Sequence, residues 1–258
     1  MYNTAAFIFG SIVGSFLNVC IYRLPKGRSV IVPGSHCPNC TAPIHWYDNI
    51  PILSYVFLCG KARCCKAKIS FRYFIVEVLT ASVFLIFFSA FGLTPKFFAY
   101  VAMVSGLIVA TFVDFEIQEI PDEVSVGGLA VGLILSVAFP SILNETTRLN
   151  GFLNSFLGAL VGGGMIYAMG MLGEFAFKKE AMGGGDVKLL AMIGAFMGWK
   201  LAILTFFLAP VFGSVVGIIL KIRHGKDVIP YGPYLSLAAV CAIFFGEKII
   251  HLLFYGMY

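Results

Sequence analysis

Charge is scarce in this chain: of 258 residues, Asp, Glu, Lys and Arg make up 12%, whereas 59% are hydrophobic. A soluble domain carries about twice that charge, so the composition excludes a water-exposed globule as the main body and predicts a polytopic membrane protein. A basic n-region is also missing at the start, and the first apolar run holds polar Ser15 and Asn18. It therefore reads as a retained helix and not as a cleaved signal peptide. No nucleic-acid-binding motif is present, and the net charge of +5 is accounted for by topology and anionic lipid headgroups. Nor is there a glycine fingerprint following a strand of the dinucleotide-binding kind.

Stretches of about 20 apolar residues are found near 2–22, 73–91, 97–113, 124–140, 152–173, 187–199, 201–220 and 231–254. The expected fold is thus an all-α polytopic membrane protein of about eight transmembrane helices, with the sixth and seventh separated only by a slight break at Lys200, so that these two are either separate spans, one bent hairpin or one long interrupted segment. Residues 1–22 form the first helix, 23–72 a small cysteine-containing loop domain between helices 1 and 2, and 73–258 the membrane domain. The loop 23–72 carries Arg23, Lys26, Arg28, Lys61, Arg63, Lys66, Lys68 and Arg72 against the single acid Asp48. Lys178, Lys179, Lys221, Arg223 and Lys226 fall on the same side, and only Lys96, Arg148, Lys200 and Lys248 on the other. By the positive-inside rule the first set is cytoplasmic and both termini are outside. Glycine-rich apolar segments permit dimerisation without requiring it; for Gly162-Gly-Gly164 close helix packing is the favoured reading.

The loop domain is too small for a large core and needs a staple. Cys37-Pro-Asn-Cys40 can place two thiolates on a tetrahedral zinc, and Cys59-Gly-Lys-Ala-Arg-Cys64-Cys65 offers a second, irregular half. Cys64 and Cys65 are adjacent, so Cys59 is a possible substitute for one of them, with His36 and His45 as spare ligands. Free thiols are the alternative; a disulfide is disfavoured in a reducing cytoplasmic loop. The metal's role would be structural, because four thiolates leave no open position.

Acids at the mouths of apolar helices are functional suspects, and two qualify. Asp114 follows the apolar run 97–113, in a stretch to Glu123 that holds five acids in ten residues, and Asp186 closes Met182-Gly-Gly-Gly-Asp186 ahead of Val187 and Lys188. By the topology above both open on the cytoplasmic side. Pro121, Asp122 and Glu123 suit the first turn of the next helix. Gly183, Gly184 and Gly185 permit unusual backbone conformations and close approach of another chain, with Asp186 expected as the N-cap of a helix starting at Val187. A plain cap explains Asp186 alone; the second carboxylate on the same face favours a site. Two carboxylates that meet share a proton, and one can activate water while the other donates to a peptide carbonyl. Helix dipoles then favour an ionised Asp186 and a protonated Asp114. A transporter using both as a proton relay is the alternative, and it predicts carboxylates at the midplane and inverted repeats.

Gly14-Ser-Phe-Leu-Asn18, Cys37/Cys40, Ile69-Ser-Phe-Arg72-Tyr73 with Glu77, Asp114 through Ile120-Pro121-Asp122, Gly183-Gly-Gly-Asp186-Val-Lys188 and Pro230-Tyr-Gly232-Pro233 follow one another in order. In this ordered set the sequence resembles the bacterial type IV prepilin peptidases, bifunctional leader peptidases and N-methyltransferases related to the intramembrane glycine-aspartate proteases. The resemblance implies aspartyl catalysis by Asp114 and Asp186 in a site shaped by Gly183, Gly184, Gly185 and Lys188. It implies cleavage of prepilins or type II secretion pseudopilins at the cytoplasmic face of the inner membrane, and methylation of the new N-terminus with S-adenosylmethionine. The family's second C-x-x-C is altered, with Ala62 at its first position and Cys65 at its last.

Overall fold

The structure is a computed structural model that describes residues 2–178, 182–224 and 230–256. Lys179 and Lys226, counted above toward the cytoplasmic face, lie outside the described residues. The chain divides into two compact units, Met1–Phe97 and Phe98–Tyr258. Among the described residues, six helices are long and apolar enough to cross a membrane, in accord with a multi-pass membrane protein.

The first unit holds α1 (Tyr2–Arg23), the short α2 (Leu53–Phe57), α3 (Phe71–Phe91) and the start of α4 (Pro95–Ile117). In lipid there is no hydrophobic drive between helices, so close contact relies on small residues. Gly10 packs on Ala81 and Phe84, and a Cβ at Gly14 would stand 2.8 Å from Glu77 Cα. Polar groups are satisfied locally. Asn18 donates to the Tyr73 carbonyl at 3.0 Å, and buried Arg23 donates to the carbonyls of Ser29 and Pro33 at 3.0 and 2.7 Å. The Arg23 guanidinium thus turns the chain leaving α1 into an ordered loop.

The second unit contains the rest of α4 with α5 (Asp122–Ala138), α6 (Arg148–Phe177), α7 (Gly184–His224) and α8 (Gly232–Tyr255). Helix α7 packs against α5, α6 and α8. Gly158 of α6 and Gly194 of α7 meet backbone to backbone, Gly162 lies on the Leu190 carbonyl and Gly163 on Ala191, while Ser155 Oγ donates to the Ala195 carbonyl at 2.6 Å. The apolar windows of α4 and α7 are 72% and 78% buried, against 28–39% for the other candidate spans. Those two helices are therefore interior, and the others present apolar side chains outward, as lipid contact requires.

Several boundaries differ from the sequence reading. The sixth and seventh expected spans form one assigned helix, α7, which departs from helical geometry at Gly198 (φ 77, ψ 171) and not at Lys200. Glycine alone tolerates that φ, and Asn154 leaves no room there, since a Cβ would lie 2.7 Å from its Oδ1. Counted on either side of Gly198, the long helical segments among the described residues number eight. Helix α4 continues past Asp114 to Ile117, where Gln118 at φ 57 closes it by donating its N–H to the Asp114 carbonyl at 3.0 Å. Pro121 is the N-cap of α5 instead of a first-turn residue, with Asp122 and Glu123 in the first turn.

The Gly158–Gly194 contact predicts that Gly194→Val lowers stability by about 3 kcal/mol, as overpacking at an unyielding backbone does. Gly164→Val, where nothing lies within 4 Å of a Cβ, should change it by less than about 1 kcal/mol; unfolding in detergent distinguishes the two.

Candidate active site

Asp114 and Asp186 ride on the two interior helices of the second unit. Asp114 lies in the last turn of α4 and is 5% exposed. Its Oδ2 accepts the backbone N–H of Gly232 at 2.9 Å. That N–H belongs to the first turn of α8, one of the donors a helix start leaves without an internal partner. Only glycine permits the approach, because a Cβ at Gly232 would stand 2.8 Å from the same oxygen. The Pro230-Tyr-Gly232-Pro233 motif thereby acquires a physical role: Pro233 opens the helix, and Gly232 delivers an amide to the carboxylate.

Asp186 is half-buried and lies within the first turn of α7, three residues further in than the N-cap position expected, because the helix begins at Gly184. Its own N–H donates to the Gly183 carbonyl at 3.1 Å. The Asp114 carboxylate lies near enough to act electrostatically on that of Asp186. With Asp186 at the start of α7 and Asp114 bonded to the start of α8, the dipole argument that separated a protonated Asp114 from an ionised Asp186 no longer distinguishes them.

The three glycines work by size and not by unusual torsions, since none of Gly183, Gly184 or Gly185 has a positive φ. A Cβ at Gly185 would stand 3.1 Å from Ile120 Cβ, so the bare backbone of α7 accepts the segment after α4. Gly183 faces Asp186 Oδ2 at 3.5 Å from its would-be Cβ, and Gly184 has nothing within 4 Å. Lys188 pairs with Asp122 Oδ1 at 2.6 Å instead of with Asp186. The pair is largely exposed and contributes at most about 1 kcal/mol, yet it ties the first turn of α5 to that of α7 beside the Gly185–Ile120 contact.

In the first unit, Cys37, Cys40, Cys64 and Cys65 bring their Sγ atoms within 4.8 Å of one another. Cys37 and Cys65 are 3.7 Å apart and Cys40 and Cys64 3.2 Å, close to the edge of about 3.8 Å that a zinc tetrahedron with bonds of about 2.3 Å requires. Two similar knuckles build the cluster. Cys37 N–H bonds the Ala42 carbonyl at 2.8 Å and Ala62 N–H the Ala67 carbonyl at 2.8 Å, with Thr41 and Lys66 both at φ 58. Ala62 therefore stands where Cys37 stands in the first knuckle, and Cys64 supplies the missing thiol; adjacent Cys64 and Cys65 converge because Lys66 turns left-handed. Cys59 is exposed and outside the group, as are His36 and His45. Backbone amides of Cys40 and Asn39 hold the Cys37 thiol down at about 6. The bond with Cys40 chiefly pushes Cys64 up to about 12.

Glu77 is buried and accepts the Ile52 N–H at 2.7 Å, anchoring α2 to α3. Sequence reasoning left Tyr231 and Gly232 without roles, although a Gly-Pro pair at a helix start was a usable signal.

A profile described as the bacterial peptidase A24 N-terminal domain matches residues 8–91, and one described as the type IV leader peptidase family matches residues 101–218. A protein named prepilin leader peptidase/N-methyltransferase from Myxococcus xanthus is 36% identical over 220 residues, which cover 85% of this chain and 63% of that protein. One of the same name from Aeromonas salmonicida is 32% identical over 282 residues, covering 96% and 92%. Another from Pseudomonas aeruginosa is 33% identical over 268 residues, covering 94% and 90%. The chain thus spans less than two thirds of the Myxococcus protein and about nine tenths of the other two. No solved structure matches it. Matched in both units and along nearly its whole length, the chain belongs to the type IV leader peptidase family, whose relatives here carry the name prepilin leader peptidase/N-methyltransferase.

Proposed function

We propose that this protein is an aspartyl endopeptidase of the bacterial inner membrane that removes the basic leader of prepilins or pseudopilins at the cytoplasmic face, with Asp114 and Asp186 as its catalytic pair. The observation that supports the reading is the electrostatic coupling of two carboxylates carried by the interior helices α4 and α7, one of them held by the Gly232 amide. In the reaction one ionised carboxylate takes a proton from water as it attacks the scissile carbonyl. The other, protonated, donates to the carbonyl oxygen; as the tetrahedral intermediate collapses it takes that proton back, and the first carboxylate passes the proton drawn from water to the leaving amine. No covalent intermediate is needed. Gly183, Gly184 and Gly185 keep the approach to Asp186 free of side chains, and Lys188 holds the segment carrying Asp122 in register.

The substrate's geometry supports the site's position. A helix embedded in the bilayer with a basic leader presents its junction at the inner interface, and Asp114 and Asp186 both lie in terminal turns of long apolar helices. The acids of residues 114–123 attract the leader, an effect that salt weakens. Family membership leaves the proton-relay transporter reading without support.

S-adenosylmethionine supplies the methyl group in the family's second activity. A cleft of about 740 Å³ in the first unit is of ligand size, but its polar wall does not fit that cofactor. Ser11 bonds the Ile8 carbonyl, Ser15 bonds Glu77 and Arg23 is engaged by loop carbonyls, which leaves Ser35 and Asn49 among walls that are otherwise apolar. No residue is assigned to the cofactor. For zinc the fit is good, and Cys37, Cys40, Cys64 and Cys65 would hold it as a structural ion.

Membranes carrying the wild-type protein should remove the leader from a model prepilin, and Asp114→Asn or Asp186→Asn should each lower the rate by at least about 1,000-fold, read by mass spectrometry. Cleavage that survives both substitutions contradicts the assignment. Gly232→Ala should leave the protein folded and lower turnover by about 10- to 100-fold by displacing the Asp114 carboxylate. Purified protein should contain about one zinc per chain; Cys64→Ser should lose it while Cys59→Ser retains it, as metal analysis would show.

A further inference from the structure

The hydroxyl of Tyr231 is buried and has no hydrogen-bond partner among the described residues. Leaving such a group unpaired costs about 1–3 kcal/mol, and buried polar groups are otherwise almost always paired, so its position calls for a partner that the described residues do not supply. Its surroundings say which kind. Tyr231 interacts electrostatically with Asp186, and the next residue, Gly232, gives its N–H to Asp114. Two consecutive residues therefore address the two carboxylates, one each.

The side chain is anchored at a fixed point. Tyr231 is the N-cap of α8 at φ −91, ψ −29, and its carbonyl accepts the N–H groups of Tyr234 and Leu235 at 3.1 and 3.2 Å. The ring thus projects from the first turn of a long helix and not from a free loop. Burial first, and the neighbouring Asp186 charge second, push the hydroxyl up to about 12. It keeps its proton throughout the physiological range and is a donor, neither a general acid nor a general base.

We propose that the Tyr231 hydroxyl is a catalytic donor that hydrogen-bonds the oxygen of the scissile peptide carbonyl beside Asp186, strengthening as negative charge develops on that oxygen. The inference rests on the peptidase reading above. A carbonyl oxygen is an acceptor with no proton of its own, so it is the natural complement of an unpaired donor, and as water adds it carries partial negative charge until the proton from the carboxylic acid is fully transferred, which a second donor stabilises. The tyrosine keeps its O–H bond throughout and nothing covalent forms on it. Preorganised donors of this type are worth about 100- to 1,000-fold in turnover.

The test is steady-state cleavage of a model prepilin by full-length protein in detergent or membranes, comparing wild type, Tyr231→Phe and Asp186→Asn, with thermal unfolding of each. Tyr231→Phe is expected to lower kcat about 100-fold, to change KM less than about threefold, and to leave the unfolding temperature unchanged or raised, since it removes an unpaired buried hydroxyl. Tyr231→3-fluorotyrosine, which retains the ring and is the stronger donor, is expected to cleave at or above the wild-type rate whatever the phenylalanine variant does to folding. A phenylalanine variant with wild-type kcat, or a fluorotyrosine variant as slow as the phenylalanine one, overturns the role of the hydroxyl. If Asp186→Asn is meanwhile inactive, the peptidase reading stands without it. A wild-type protein that leaves the prepilin intact overturns both.

Discussion

A carboxylate in the wall of an apolar helix has to be met by a donor from another part of the chain, because lipid supplies none. In this protein the Gly232 N–H meets Asp114 across 118 residues of sequence, and the site depends on it. The bond fixes the start of α8 against the end of α4 and places Tyr231 beside Asp186. It uses an amide that the helix itself cannot satisfy. Deleting the side chain at position 232 is the structural requirement that makes the contact possible.

The surrounding unit is built to hold that arrangement still. Helices α4 and α7 carry the carboxylates and are the most enclosed of the candidate spans. Helix α7 is gripped by small-residue contacts at Gly158, Gly162 and Gly163 of α6 and Gly128 and Gly132 of α5. Close backbone packing restricts sliding, so the first turn of α7, with Asp186, keeps its place relative to the segment after α4. The Gly185–Ile120 contact and the Lys188–Asp122 pair then act at the mouth of the site, where small displacements of Asp186 would matter most for proton transfer. The cysteine cluster is a separate device. It lies in the first unit, in a loop segment with little buried apolar surface, and with a metal bound would give order by ligation where packing cannot.

Much of this was legible in the sequence for identifiable reasons. Apolar runs of bilayer length predict the helices whatever their partners, so the spans are found within a few residues, and an acid bordering such a run stands out against its background. Terminal geometry was less legible. Asp114 was placed after its helix and Asp186 before its own, yet both are helical, since one turn at either end can be supplied by Gln118 turning left-handed or by Gly184 and Gly185 accepting helical torsions. The same limit applied at Gly198, where a single positive φ breaks α7 with no charge to mark it. The second cysteine knuckle repeats the backbone turn of the first, with Lys66 at φ 58 as Thr41 is, and the grouping of Cys64 and not Cys59 with the other three thiols is a feature of the folded loop that residue spacing does not encode. Tyr231 and Gly232 act through contacts more than 40 residues distant in the chain, and only the folded structure assigns them to either carboxylate.

The claim that Asp114 and Asp186 act together on a tetrahedral species is tested most directly by a prepilin segment whose scissile peptide is replaced by a non-cleavable hydroxyl-bearing tetrahedral isostere. Binding to full-length protein in detergent should be at least about 100-fold tighter than that of the parent peptide to an inactive variant, as for a transition-state analogue, and the advantage should vanish in both Asp114→Asn and Asp186→Asn. An isostere that binds no better than the parent peptide, or that keeps its advantage without either carboxylate, would contradict the account.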